Sequence, residues 1–194
     1  VGLFPAFKVD GRSLAEDLGQ LLRQRMVSQF EDDGFPIDLV QAVSGACVSS
    51  ERLLQDPVDA RDRLLLLQDL REDGRLQAVQ AVVQRAARLA EKGDLPSSQL
   101  TPDAVIKESL FDSPSEAGLL AELRRLGPLA QAGDYKGLAA GLQGAALALE
   151  AFFDGENSVM VMADDEAVRR NRLNLLGVLR NQASVLCSFD NIQS

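Results

Sequence analysis

Histidine is absent from the sequence, and its absence excludes more chemistry than any motif present suggests. Without an imidazole there is no Ser-His-Asp triad and no Cys-His pair, and the common zinc sites lose their usual nitrogen ligand. Cysteine is scarce. Cys47 and Cys187 stand far apart with no partners at metal-ligand spacing, so both are expected to be reduced, buried thiols in a cytoplasmic protein. No GxxxxGK[ST] occurs and no GxGxxG follows a strand, so no phosphate-cradling loop is visible. No apolar run approaches the roughly 20 residues that a membrane-spanning helix needs, and nothing resembles a signal peptide. These absences predict a segment with no catalytic centre, metal or cofactor of its own, and no membrane partner.

Tryptophan is also missing and aromatics make up 5% of the residues, so the core must be built from Leu, Ala and Val, which favours helices. The 194 residues, 46% of them hydrophobic, leave room for one sizeable domain or two small helical units. The chain begins at Val1 without an initiator Met and reads as a piece of a longer protein. A net charge of -9 argues against indiscriminate nucleic-acid binding, DNA included, because phosphate attraction scales with local Lys and Arg. One basic patch on an otherwise acidic body remains compatible with that balance.

Residue patterning predicts helix after helix. Residues 1–12 read as irregular, with Phe4, Pro5 and Phe7 packing onto later elements. Ser13 can cap a helix from Leu14 to about Phe30, with Leu14, Leu18, Leu21 and Leu22 on one stripe. Gly34 stops it, and Pro36 opens a short buried helix around Ile37 to Val43. Cys47 to Asp56 reads as a loop, residues 57–72 as a helix opened by Pro57, and Leu76 to Lys92 as an Ala-rich amphipathic helix closed by Gly93. Residues 93–101 are the favoured hinge, and Thr101-Pro102 opens a short helix through Leu110. Ser113-Pro114-Ser115-Glu116 is a capping box for a helix to about Ala132, stopped by Gly133. Asp134 caps another, Tyr135 to Phe153, whose Gly141 and Gly144 are expected to face a neighbouring backbone. Ser158 to Met162 is too short to be more than a connector or an isolated extended piece, and a final helix runs from Asp164 to about Leu186. The pattern is an all-α bundle of about seven to eight helices, divided as residues 1–94 and 95–194 or continuous as one domain.

The stretch from Ala151 to Arg180 organises the reading. Three acids, Asp164, Asp165 and Glu166, suit the positive end of a helix dipole, and Arg169, Arg170, Asn171 and Arg172 follow at once. Residues 169 and 172 share one helix face, opposite Val168, Leu175 and Leu179, so a packed helix would hold a basic cluster suited to phosphate or a base edge. Arg85 and Arg88 form a second basic edge or a merely solvated face.

The wording FFD followed by VMVMADDEAVRRNRLNLL resembles the C-terminal anticodon-binding domain of the β subunit of bacterial glycyl-tRNA synthetase. The matching residues are Phe152-Phe153-Asp154, Val159-Met160-Val161, Asp164-Asp165 and Arg170-Asn171-Arg172-Leu173, with Arg169 as the alternative first arginine. Upstream, Leu110 to Leu123, Phe35 to Val43 and Gln84-Arg85 are similar to further family stretches, so the resemblance covers about residues 20–194. The chain departs from the family in carrying Gly155 to Ser158 where a single residue is typical, Gln84 for a Lys, Arg88 for an Asn, and an altered tail at Ser188 to Ile192.

The resemblance implies a parent enzyme that joins glycine to its tRNA with ATP and Mg²⁺, largely on a separate α subunit. It implies that this segment holds the anticodon loop of glycine tRNA, without chemistry of its own, beside the rest of the β subunit. Unstacked loop bases can stack on side chains and hydrogen-bond to Arg or Asn. On that basis Arg169, Arg170 and Arg172 are assigned to phosphate or base contacts, Asn171 to a base edge, and Arg85 and Arg88 to a second edge. Asn171 and Arg172 carry an equal alternative, bonding the FFD–VMVM connection. Phe152 and Phe153 are expected in the core. Two other classes stay open: a helical protein-interaction module, favoured if the arginines are tied up with acids, and the anticodon-binding bundle of another synthetase such as the arginyl enzyme.

Overall fold

Several helix boundaries fall where the sequence supplies a side-chain cap or a left-handed glycine. The structure is a computed structural model that describes residues 11–193. Among those residues it is all-α, with nine α-helices, two short 3-10 turns and no strand. In chain order these are α1 (Gly11–Asp32), α2 (Ile37–Ser44), α3 (Ser50–Gln55), α4 (Pro57–Glu72) and α5 (Arg75–Ala90). The 3-10 turn Glu108–Leu110 follows, then α6 (Pro114–Ala132), α7 (Tyr135–Gly144), α8 (Ala146–Phe153), α9 (Glu166–Ser184) and the 3-10 turn Phe189–Asn191.

Asp56 accepts from Val58 N and Asp59 N ahead of Pro57 and so starts α4. Gly74, at φ 77°, separates α4 from α5. Ser113 and Glu116 close a reciprocal capping box on α6, and Gly133 ends that helix at φ 67°. The expected helix 135–153 forms as two pieces, α7 and α8, bent at Ala145 just past Gly144, although Ala145 N still donates to Gly141 O at 2.9 Å. Counting the bent pair once gives eight α-helices among the described residues, within the expected seven to eight, although the set differs: α3 is present and the expected helix 102–110 is not.

α9 is the hub. Every residue from Asn171 to Leu179 is buried, and the helix packs against α5, α6 and α7 and against the turn Glu108–Leu110. It is therefore a central helix surrounded by others, where the sequence reading had one buried stripe opposite a basic face. The core runs as one cluster from Phe30 and Leu39 through Leu64, Val79 and Leu119 to Leu176 and Ile192, drawing on residues from both sides of position 94. The favoured hinge, residues 93–101, is bonded to α9. Arg180 donates to Leu95 O, Asn181 to Pro96 O and Gln99 O, and Gln182 to Leu100 O.

Several local expectations are corrected. Ser13 lies inside α1, not at its cap, and the leucine stripe Leu14, Leu18, Leu21 and Leu22 points outward at 47–50% exposure. Phe30, with Met26 and Val27, faces the body instead. The supposed loop 47–56 contains α3, which forms because Leu53 is fully buried and Arg52 reaches Val185 O. Residues 102–110 make turns and one 3-10 turn but no α-helix. There the carbonyl of Val105 and both backbone groups of Lys107 bond to side chains of Asn174 and Asn171, which replaces a helical ladder. Gly141 and Gly144 face the side chains of Leu126 and Arg125 on α6, not a backbone. Cys47 is exposed, whereas Cys187 is buried and its thiol is pushed far up by desolvation. Expectations for Phe4, Pro5 and Phe7 lie outside the described residues.

Candidate nucleic-acid interface

The start of α9 is positioned by its own cap, Asp165 accepting from Ala167 N at 2.8 Å and Val168 N at 3.1 Å. The four residues that follow take up very different environments. Arg172 turns inward and is 5% exposed. Its Nε donates to Glu116 Oε1 at 2.9 Å, Nη2 to Asp112 Oδ2 at 3.0 Å, and Nη1 to Met160 O at 3.1 Å. Glu116, fully buried, also accepts from Asp112 N and Ser113 N at the start of α6. One carboxylate thus caps α6 and anchors α9, and through Arg172 it fixes the Val159–Met162 connector. Its hydrogen bond holds Arg172 above an already high ordinary pKa. Asn171 is buried as well, accepting from Lys107 N at 2.8 Å and donating to Lys107 O at 3.0 Å. Of the two readings open for this pair, the structure places Arg172 on the VMVM connector and Asn171 on a different loop. Arg172 is closed off from solvent, whereas Asn171, with its amide bonded to Lys107, lies in the wall of a groove.

Arg169 is half-buried and donates to Ala163 O at 2.8 Å. Arg170 is exposed and pairs with Asp94 at 2.9 Å across the end of α5. It borders a groove of about 610 Å³ that also takes in Lys107, Leu95, Val105, Glu166 and Asn174. Only the fold brings Lys107, remote in sequence, to this groove.

On α5, Arg85 pairs with the Asp154 carboxylate and lies 4.4 Å over the ring of Phe153. Phe152 is buried and Phe153 half-buried, so only the second ring reaches the surface, beneath a guanidinium. Arg88 is exposed and takes part in no ion pair or hydrogen bond among the described residues. Lys92, likewise exposed, follows four residues on, in the turn just past the end of α5. Sequence reasoning passed over it, although the i, i+4 spacing from Arg88 is readable. The row ends at Asp94, whose pairing with Arg170 joins the α5 cations to the start of α9. Glu91, Asp94 and Asp154 stand among these cations, so the patch is only modestly positive.

The energetics separate the two groups. Exposed pairs such as Arg85–Asp154 and Arg170–Asp94 contribute about 0–1 kcal/mol and can be exchanged for a phosphate at little cost. Pulling Arg172 away would strand a buried carboxylate, at a cost of about 3–5 kcal/mol. Arg85, Arg88, Lys92 and Arg170 are therefore cations left at the surface, while Asn171 and Arg172 hold neighbouring loops in place. Among the described residues no group of three or more Cys, Asp or Glu side chains is placed to hold a metal ion, and no helix is long and apolar enough to cross a membrane.

No family model matches the chain. It is similar over nearly its whole length to curated proteins named glycine–tRNA ligase β subunit. That of Picosynechococcus sp. is 44% identical over 189 residues, which cover 94% of this chain and 26% of the relative. That of Acaryochloris marina is 42% identical over 194 residues, covering 97% and 27%. A more distant relative from Pseudoalteromonas translucida is 30% identical over 176 residues, covering 89% and 24%. The chain thus spans about a quarter of the length of the curated relatives it matches.

Proposed function

We propose that this chain is the anticodon-loop-binding portion of a glycine–tRNA ligase β subunit, and that it acts in an assembly with the rest of that subunit and with the α subunit. The observation that carries the reading is its similarity, over 94% of its length, to relatives bearing that name. The exposed cationic row from Arg85 through Arg88 and Lys92 to Arg170 supports it. The row is long enough to follow a short piece of phosphate backbone, and Phe153 beneath Arg85 adds a stacked cation at one end. In this reading the parent enzyme uses ATP and Mg²⁺ to attach glycine in a cytoplasmic setting, and the chemistry takes place elsewhere in the assembly. Phosphate contacts fall to Arg85, Arg88, Lys92 and Arg170. Arg170 and Lys107 flank the groove in which a splayed base would sit, Arg169 braces the turn before α9 through Ala163 O, and Asn171 and Arg172 are positioning residues.

A second reading, a helical protein-interaction module, gains from the number of arginines already paired with acids. Besides those above, Arg124 pairs with Asp103 and Glu108, and Arg125 with Glu122. The synthetase alternative of another specificity, such as the arginyl enzyme, gains no such support.

The test is a binding titration of the chain with glycine tRNA, and with the same tRNA carrying a changed anticodon, at low and moderate salt. Weak, salt-sensitive binding that prefers the natural anticodon is expected. Arg88→Ala and Arg170→Ala should each lower the slope of log affinity against log salt by roughly 1. Equal affinity for both tRNAs would reduce the patch to backbone positioning, and no binding at low salt would favour the interaction module.

A further inference from the structure

α1 carries two apolar faces, and the described residues cover only one of them. On the inner side Phe30 is buried, Met26 and Val27 pack against the core, and Arg23 ties the helix down by donating to Gly45 O, Val48 O and Ser50 Oγ. On the other side Leu14, Leu18, Leu21 and Leu22, at positions i, i+4, i+7 and i+8, stand 47%, 48%, 50% and 49% exposed. A helix apolar on two sides is a helix that belongs between two layers. α1 packs mainly on α2 and α3, at the edge of the bundle, so among the described residues its outer side is open.

We propose that this leucine face seats an apolar surface from the remainder of the longer subunit, which makes α1 the joint between the bundle and the rest of that protein. The proposal rests on the reading of the chain as part of a β subunit. Two observations select this occupant. The curated relatives are about four times as long as the matched segment, so the great majority of such a subunit lies outside this chain. The area also decides against a separate partner. Four half-exposed leucines offer on the order of a few hundred Å², against the roughly 1,200–2,000 Å² that a stable complex between free molecules buries. An intrachain contact pays no association entropy, so a patch of this size is enough to hold it.

The test uses the full-length subunit assembled with its α subunit, with Leu18 replaced by photoreactive p-benzoylphenylalanine, and peptide mapping of the crosslink. The expected product joins α1 to a residue of the same subunit outside these 194 residues. Crosslinks to the α subunit, to a second copy or to residues 1–10, or no crosslink at all, would overturn the proposal. A second readout is the double variant Leu18→Asp/Leu21→Asp. In the full-length subunit, cleavage of α1 by a dilute protease should rise about tenfold or more, because cleavage follows the open population, whereas the 194-residue chain alone should change little. Equal effects in both proteins, or none in either, would sink the idea. Failure of the parent reading shows up separately, as a full-length assembly that does not charge glycine tRNA, an assay in which docking is not read.

Discussion

At the scale of single residues, burial decides which arginine is structural and which is available. Arg172 and Arg170 are two positions apart, yet one side chain is 6% exposed against a fully buried glutamate and the other is 66% exposed beside an exposed aspartate. Arg172→Ala should destabilise the chain by about 3–5 kcal/mol in urea unfolding, because Glu116 is left buried and uncompensated. Arg172→Lys should recover little of that loss, since an ammonium cannot reach Glu116, Asp112 and Met160 O together. Arg170→Ala should change stability by less than about 1 kcal/mol. A melt showing the reverse order would refute the burial argument. Asp38 sets an acid limit. Its carboxylate is held below the usual range first by hydrogen bonding to Arg71, with help from Gln193 N in the tail. Because the folded-state pKa is the lower one, this contribution is present above the unfolded value near 3.8 and is lost as pH falls through the folded value. Asp38→Asn should therefore be less stable at neutral pH, and its stability should fall less steeply below about pH 4 in acid titrations followed by circular dichroism.

At the scale of elements, close approach explains glycines that helix propensity alone would penalise. A Cβ on Gly141 would sit 2.5 Å from Leu126 Cδ2 on α6, so Gly141→Ala should cost about 1–3 kcal/mol despite the better helix former. Gly118, exposed in the middle of α6 with nothing within 4 Å, is the control: Gly118→Ala should stabilise by about 0.4–1 kcal/mol. Thermal melts of the two variants should move in opposite directions. Many element boundaries were legible because their signals are local, as with Pro57, the Ser113–Glu116 box and Asp134, whereas the capping roles of Asp56 and Asp165 emerged only in the structure. α3 and residues 102–110 were not, because their backbones answer to distant groups. Arg52 and Leu53 draw α3 into the bundle, and Asn171 and Asn174 hold Val105 and Lys107 out of a helix.

At the scale of the whole molecule, α9 and its polar side chains are the organising device. Asn171, Asn174, Asn181 and Gln182 all reach backbone groups of the 95–107 stretch, which stitches the α5–α6 connection along the hub helix. With one hydrophobic cluster drawing on both sides of position 94, the chain should unfold in a single cooperative transition, with near-ultraviolet and far-ultraviolet circular dichroism giving one midpoint. Two separated midpoints would show that residues 1–94 and 95–194 are independent units.

The sequence by itself determined the all-α class, the caps that place most of the helices and the resemblance carried by VMVMADD and NRL, because capping and periodicity act over a few residues. It also supplied the candidate cations. Only the tertiary structure decided that Arg172 and Asn171 face inward, that Arg88, Lys92 and Arg170 stay in solvent, and that the α1 leucines lie uncovered by the described residues. The physical reason is that a guanidinium's role depends on which carboxylates and carbonyls the fold brings to it. For Arg172 the decisive partner, Glu116, is 56 residues away in sequence.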